Sequence, residues 1–146
     1  MKRLLTAAAL AAPVLTTAPA HAEAPETLVT VLTAPEAQTQ LMAMVLAMQA
    51  AQQGVAAHIM LCGPAGDLAL KDAPASATAG QPPKNMSPQG LMQMIMKQPG
   101  AKVEVCAIYL PGRGADMSVL LDGVGVAKPA DMAAAIIDEN ARVISY

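Results

Sequence analysis

The sequence predicts an α/β domain in which a mostly parallel, five-stranded sheet carries helices on both faces. Three observations lead there. Short apolar, β-prone runs recur five times along the chain. Capped or Pro-opened helical segments stand between them, and strands separated by helices need the long crossovers that make a sheet parallel. Finally, 54% of the 146 residues are apolar, enough for one domain of this length to bury a core.

Residues 1–22 have the three parts of a secretory signal: Lys2 and Arg3, an apolar run from Leu4 through Leu15, and Ala20-His21-Ala22 as an A-x-A cleavage site. The run is interrupted by Pro13 and falls well short of the ~20 apolar residues that span a bilayer. Cleavage is therefore expected after Ala22, leaving residues 23–146 as one exported domain, periplasmic or secreted. No later segment is long and apolar enough to cross a membrane, so no membrane span is expected. Loss of Lys2 and Arg3 makes the remaining chain more acidic than the net −2 of the whole.

Leu28-Val29-Thr30-Val31-Leu32 reads as a first strand buried on both faces. Thr33-Ala34-Pro35-Glu36 matches the T-x-x-E capping pattern and opens a helix that should run to about Gln53, with Gly54 as its stop. Within it, Leu41 to Met48 are all apolar. That run exceeds the ~100° stripe one sheet face requires, so a second copy of the chain is expected against this helix, giving a homo-oligomer. Val55 to Cys62 is the second strand, ended by Gly63-Pro64. Residues 63–86, with Pro74, Gly80, Pro82 and Pro83, read as a long mobile loop holding at most a turn at Asp67 to Lys71.

Ser87-Pro88 supplies an N-cap and a first-turn proline for a helix through Leu91 to Gln98, which Pro99-Gly100 breaks. Val103 to Cys106 is the third strand, followed by a turn or short helix because Pro111 stops a central strand. Asp116 to Leu121 suits a helical turn, Gly123 to Ala127 a brief strand, Pro129 to Asn140 a helix and Arg142 to Tyr146 a last strand.

Several functions are poorly served by this composition. Only 14% of residues are charged, with nine basic against eleven acidic, so no basic field exists to hold a nucleic-acid backbone. Phe and Trp are absent, and Tyr109 and Tyr146 are the only aromatics, too few for a stacking platform. The first strand hands over without a glycine-rich turn, and no Walker A sequence occurs, which argues against nucleotide cofactors. Without G-x-S-x-G, and with His58 the one histidine after the signal, serine hydrolase chemistry also fails. No resident cofactor or metal is expected.

Ligands of parallel sheets sit beyond the carboxyl ends of the strands, and two cysteines stand there, Cys62 and Cys106. A thiol where a strand hands over to a helix is favoured as thiolate by the amide dipoles of the first turn; a buried, inert cysteine is the alternative. Arg113, between Gly112 and Gly114, could stabilise such a thiolate or a bound anion, or could lie on a solvated loop. In an oxidising compartment the two cysteines could instead pair, and closing a loop of about 45 residues would add roughly 3 to 4 kcal/mol. Eleven methionines in an exported chain also raise Cu(I) binding, best at Met92, Met94 and Met96. On a helix, however, Met94 points away from the other two. Along the second strand His58, Met60 and Cys62 stand ~6 to 7 Å apart in succession, so methionine as core filler in place of Phe is the better account.

Val103-x-Val105-Cys106, the Gly112-Arg113-Gly114 turn, Leu120-x-x-Gly123-Val124-x-Val126 and the closing Arg142-Val143-Ile144-Ser145-Tyr146 together resemble the DsrE/DsrF-like (YchN-like) family. Leu28-Val29-x-Val31, the helix stop at Gly54 and Gly66-Asp67-x-Ala69 agree with that layout, and the resemblance covers about residues 27–146. It implies a three-layer α/β/α fold, oligomeric assembly and, as in sulfur-relay members, a cysteine carrying persulfide sulfur between donor and acceptor proteins. Cys106 matches that cysteine. The resulting expectation is an exported thiol- or sulfur-handling protein in which Cys106 accepts a sulfane sulfur, Cys62 resolves it and Arg113 stabilises the anion. A non-catalytic binding module with structural cysteines, contacting a partner through residues 63–86, and a periplasmic Cu(I)-binding protein are the rivals.

Overall fold

The computed structural model describes residues 25–146; the expected signal lies outside them. Five strands, β1 (Thr27–Leu32), β2 (Ala56–Leu61), β3 (Lys102–Cys106), β4 (Gly125–Ala127) and β5 (Ala141–Ser145), form one sheet in the order β4-β3-β2-β1-β5. Every neighbouring pair is parallel. Helices α1 (Ala37–Gln52), α2 (Ala75–Thr78), α3 (Pro88–Ile95), α4 (Tyr109–Arg113) and α5 (Pro129–Ile137) connect them, with 3₁₀ segments at Gly63–Ala69 and Met117–Val119.

Strand alternation sorts the interior. Leu32, Ala57, Ile59, Leu61, Val103 and Val105 meet Ala43, Met44 and Ala47 of α1 and Leu91, Met92 and Ile95 of α3 in a single apolar core. Full burial of each Leu, Ile or Met contributes about 1.5 to 3 kcal/mol. The opposite sheet face presents His58 and Met60 on β2, with Cys62 just beyond its end, and Lys102, Glu104 and Cys106 on β3. Strands β1 to β4 step outward in one direction, whereas the β4–α5–β5 connection returns across the whole sheet. Right-handed crossovers therefore place α5 opposite α1 and α3, completing three layers. No α5 residue is buried, and Ile137 is 80% exposed.

The start of α1 differs from the capping pattern. Glu36 is the N-cap and makes no side-chain cap bond, while Thr33 donates Oγ1–H to the Tyr146 carbonyl at 2.7 Å. Thr33 also donates its backbone N–H to that carbonyl, which prolongs the sheet by one rung. Pro35 holds Ala34 out of helical conformation, so the helix starts later, and its free end is tied by Gln40 Nε2 donating to the Ala34 carbonyl at 2.8 Å. The expected stop holds: Gly54 has φ +85°. Ser87 likewise caps α3, its Oγ accepting from the Gly90 N–H at 3.1 Å.

The segment expected to be a long loop is instead largely folded. Ala65, Leu68, Ala69, Leu70 and Ala77 are buried, and Gln89 Nε2 donates to the carbonyls of Leu68 (3.0 Å) and Leu70 (2.8 Å). Turns this short leave no helical period in a sequence, and the flanking prolines mask them. On α1, the buried stripe is Gln40, Ala43, Met44, Ala47 and Met48; Met42 and Leu46 stand exposed on the outer side.

Candidate functional site

The β2–β3 ladder ends at Leu61↔Val105, and the next residue on each strand is a cysteine. Cys62 and Cys106 form a disulfide with Cα atoms 5.1 Å apart. The spacing follows from the topology, since adjacent strands run ~4.8 Å apart and the two chains have advanced the same number of residues. Neither cysteine is free. Their exposures differ from expectation: Cys106, read as the accessible thiol, is only 6% exposed in its place beside Ala127 of β4, whereas Cys62 is partly exposed.

Beyond the disulfide, the two emerging segments are tied a second time. Tyr109 donates its hydroxyl to Asp67 Oδ1 at 2.7 Å, and Arg113 Nη1 donates to the same oxygen at 2.8 Å. The guanidinium carbon lies 5.5 Å from the Tyr109 ring centre, within cation–π range. Burial, and then the bond to Asp67, pushes the Tyr109 phenol well above its ordinary value of 10. Gly66 is required beneath the ring, since a Cβ there would run into it. Arg113 is thus engaged by the Asp67 carboxylate. Asp67 and Tyr109 went unassigned in the sequence; the available signal was a lone Tyr three residues after a strand-end Cys in a chain without Phe or Trp.

One further polar group lies on the cysteine face. Glu104 Oε2 accepts from Lys102 Nζ and is bonded to His58 Nε2, both at 2.9 Å. Burial pushes the Glu104 carboxyl up, but the bonds from Lys102 and His58 outweigh it and hold the group below its ordinary value of 4.5. The site has room because Gly125 is its neighbour on β4, where a Cβ would stand 3.3 Å from Glu104 Cγ. The cluster was legible only once His58↔Lys102 and Met60↔Glu104 were in register.

The methionine triplet does not converge. Met92 is fully buried, Met94 is 46% exposed over a groove between α1 and α3, and Met96 lines a separate cleft with Lys71 and Gly123. Among the described residues, no group of three or more His, Cys, Asp or Glu side chains could hold a metal, and no helix is long and apolar enough to cross a membrane.

Sheet order and rim define an α/β protein with a cysteine pair where two adjacent parallel strands end. Its fold is YchN/DsrE-like. The ychN protein from E. coli matches with a TM-score of 0.64 at 18% identity, over 83% of this chain and 99% of that one. MTH1491 from Methanobacterium thermoautotrophicum matches with a TM-score of 0.56 at 14% identity, over 82% and 99%. No protein-family model matches the chain, and no curated protein matches it.

Proposed function

We propose that this chain is an exported YchN/DsrE-like protein that handles thiol-bound or sulfane sulfur through Cys62 and Cys106. The observation that supports this reading is the placement of both sulfurs at the carboxyl rim, one partly exposed and one buried. A dithiol reductant opens the pair: its thiolate attacks Cys62 Sγ, the S–S bond breaks and Cys106 leaves as a thiolate. The reductant's second thiol then attacks the mixed disulfide and frees Cys62. Two electrons and two protons pass to the protein, and the reductant departs as a disulfide.

In the dithiol state, Cys62 thiolate takes the outer sulfur of a donor persulfide, releasing the donor thiolate and leaving a Cys62 persulfide. An acceptor thiolate then removes that sulfur. Alternatively, Cys106 attacks Cys62 Sγ, expels hydrosulfide and restores the disulfide. Exposure thus gives Cys62 the accepting role and Cys106 the resolving role, the reverse of the order expected from sequence. Donor and acceptor proteins are the implied partners, and a second copy against the outer face of α1 is the proposed assembly.

Peptide mass mapping after reduction, incubation with polysulfide and alkylation tests the reading. One added sulfur on the Cys62 peptide, lost on addition of an acceptor thiol, is expected; no added sulfur on either cysteine would overturn it. The burial of Cys106 favours a second reading, a binding module with a structural disulfide. On that reading the bond resists reduction until the chain unfolds.

A further inference from the structure

We propose that Asp67, Tyr109 and Arg113 form a clip that sets the redox poise of the Cys62–Cys106 pair, so that Tyr109 and Asp67 are positioning residues for its chemistry. The inference rests on the reading that the pair cycles between disulfide and dithiol.

The argument begins with connectivity. Asp67 follows Cys62 by five residues, and Tyr109 and Arg113 follow Cys106 by three and seven. Disulfide and clip therefore join the same two stretches of chain, and they do so past Leu61↔Val105, where the β2–β3 ladder stops. When the disulfide opens, the clip is the side-chain hydrogen-bonded tie that remains between those stretches among the described residues. Two charge-assisted bonds converge on one carboxylate oxygen, and such bonds are roughly twice as strong as neutral ones. Tyr109 is 7% exposed and its ring is seated on Gly66, so water does not readily replace Asp67 as its partner.

A tie that keeps two thiols adjacent raises their effective concentration toward one another, and closing the disulfide becomes easier. The coupling is reciprocal: whatever the clip contributes to the disulfide, the disulfide contributes to the clip. Removing the clip should therefore make the pair easier to reduce, and reducing the pair should loosen the clip.

The test is equilibration of the chain in graded dithiothreitol buffers, with the oxidised fraction read by alkylation and mass. Tyr109→Phe keeps the ring on Gly66 and removes only the hydroxyl, and it should shift the equilibrium about tenfold toward dithiol, equal to about 30 mV for a two-electron couple. Asp67→Asn keeps an acceptor for Tyr109 but loses the ion pair with Arg113, and it should shift the equilibrium in the same direction by less. This variant carries the test if Tyr109→Phe does not fold.

Ultraviolet titration of phenolate supplies the reciprocal readout, because Tyr109 and Tyr146 are the only aromatic residues. In wild type, reduction should lower the pH at which Tyr109 ionises, a change absent from Tyr109→Phe. Folded variants with the wild-type midpoint, or a Tyr109 titration indifferent to reduction, would overturn the clip while leaving the sulfur-handling reading intact. A wild-type disulfide that opens only on unfolding would overturn both.

Discussion

Tyr109 and Asp67 meet at 2.7 Å across the two chain segments that Cys62 and Cys106 also join, one contact of oxygen on oxygen standing beside one of sulfur on sulfur. The Tyr109 ring reaches Asp67 only because residue 66 has no side chain. Gly66→Ala should therefore displace the ring and destabilise the fold by about 1 to 3 kcal/mol, the usual range for overpacking. Urea unfolding checks this, and in a Tyr109→Ala background the same Gly66→Ala substitution should cost less than it does in wild type.

The disulfide closes a 44-residue separation. On chain entropy alone, Cys62→Ala/Cys106→Ala should lose roughly 3 to 4 kcal/mol relative to the oxidised chain. Wild type measured under reducing conditions should fall close to the double variant. Chemical denaturation of both proteins, with and without reductant, makes the comparison.

Glu104 is held below its ordinary carboxyl value by Lys102 and His58. Its contribution is therefore fully present above the unfolded-state value of 4.5 and disappears as pH falls through the lower folded-state value. Wild-type stability should decline across that acid window, and Glu104→Gln, which cannot ionise, should decline less steeply. At neutral pH the same substitution should cost about 1 to 3 kcal/mol, because it weakens the bonds to a largely buried His58. Thermal melts across an acid-to-neutral series provide the measurement.

Among the described residues, exposed large apolar side chains include Met42 and Leu46 on α1, and Ile136, Ile137 and Val143 on α5 and β5. If α1 carries the proposed contact between copies, Leu46→Glu should lower the mass seen by light scattering, while Ile137→Glu should not. The opposite pattern would place the contact at α5.

Much of the architecture was legible from sequence because strands and long helices announce themselves by apolar runs and by their stops. Gly54, Ser87-Pro88 and Pro129 all mark real boundaries. What was illegible depended on neighbours distant in the chain. Thr33 looked like a cap, yet its hydroxyl goes to Tyr146. Residues 63–86 looked like loop because their order comes from Gln89 and from burial against the core, neither of which is a local signal. At the site, the two cysteines were visible as strand-end residues. Arg113 was visible as a charge but not as Asp67's partner, since that pairing spans 46 residues. His58 and Glu104, likewise 46 apart, met only through strand register.

The most direct test of the central claim, that Cys62 and Cys106 are a working pair, is a count of free thiols on the folded chain after dithiothreitol treatment, with circular dichroism recorded on the same sample. Two titratable thiols should appear while the native spectrum is kept, and removal of the reductant should return both to the disulfide. Thiols that emerge only together with loss of the native spectrum would show that the bond is a structural staple.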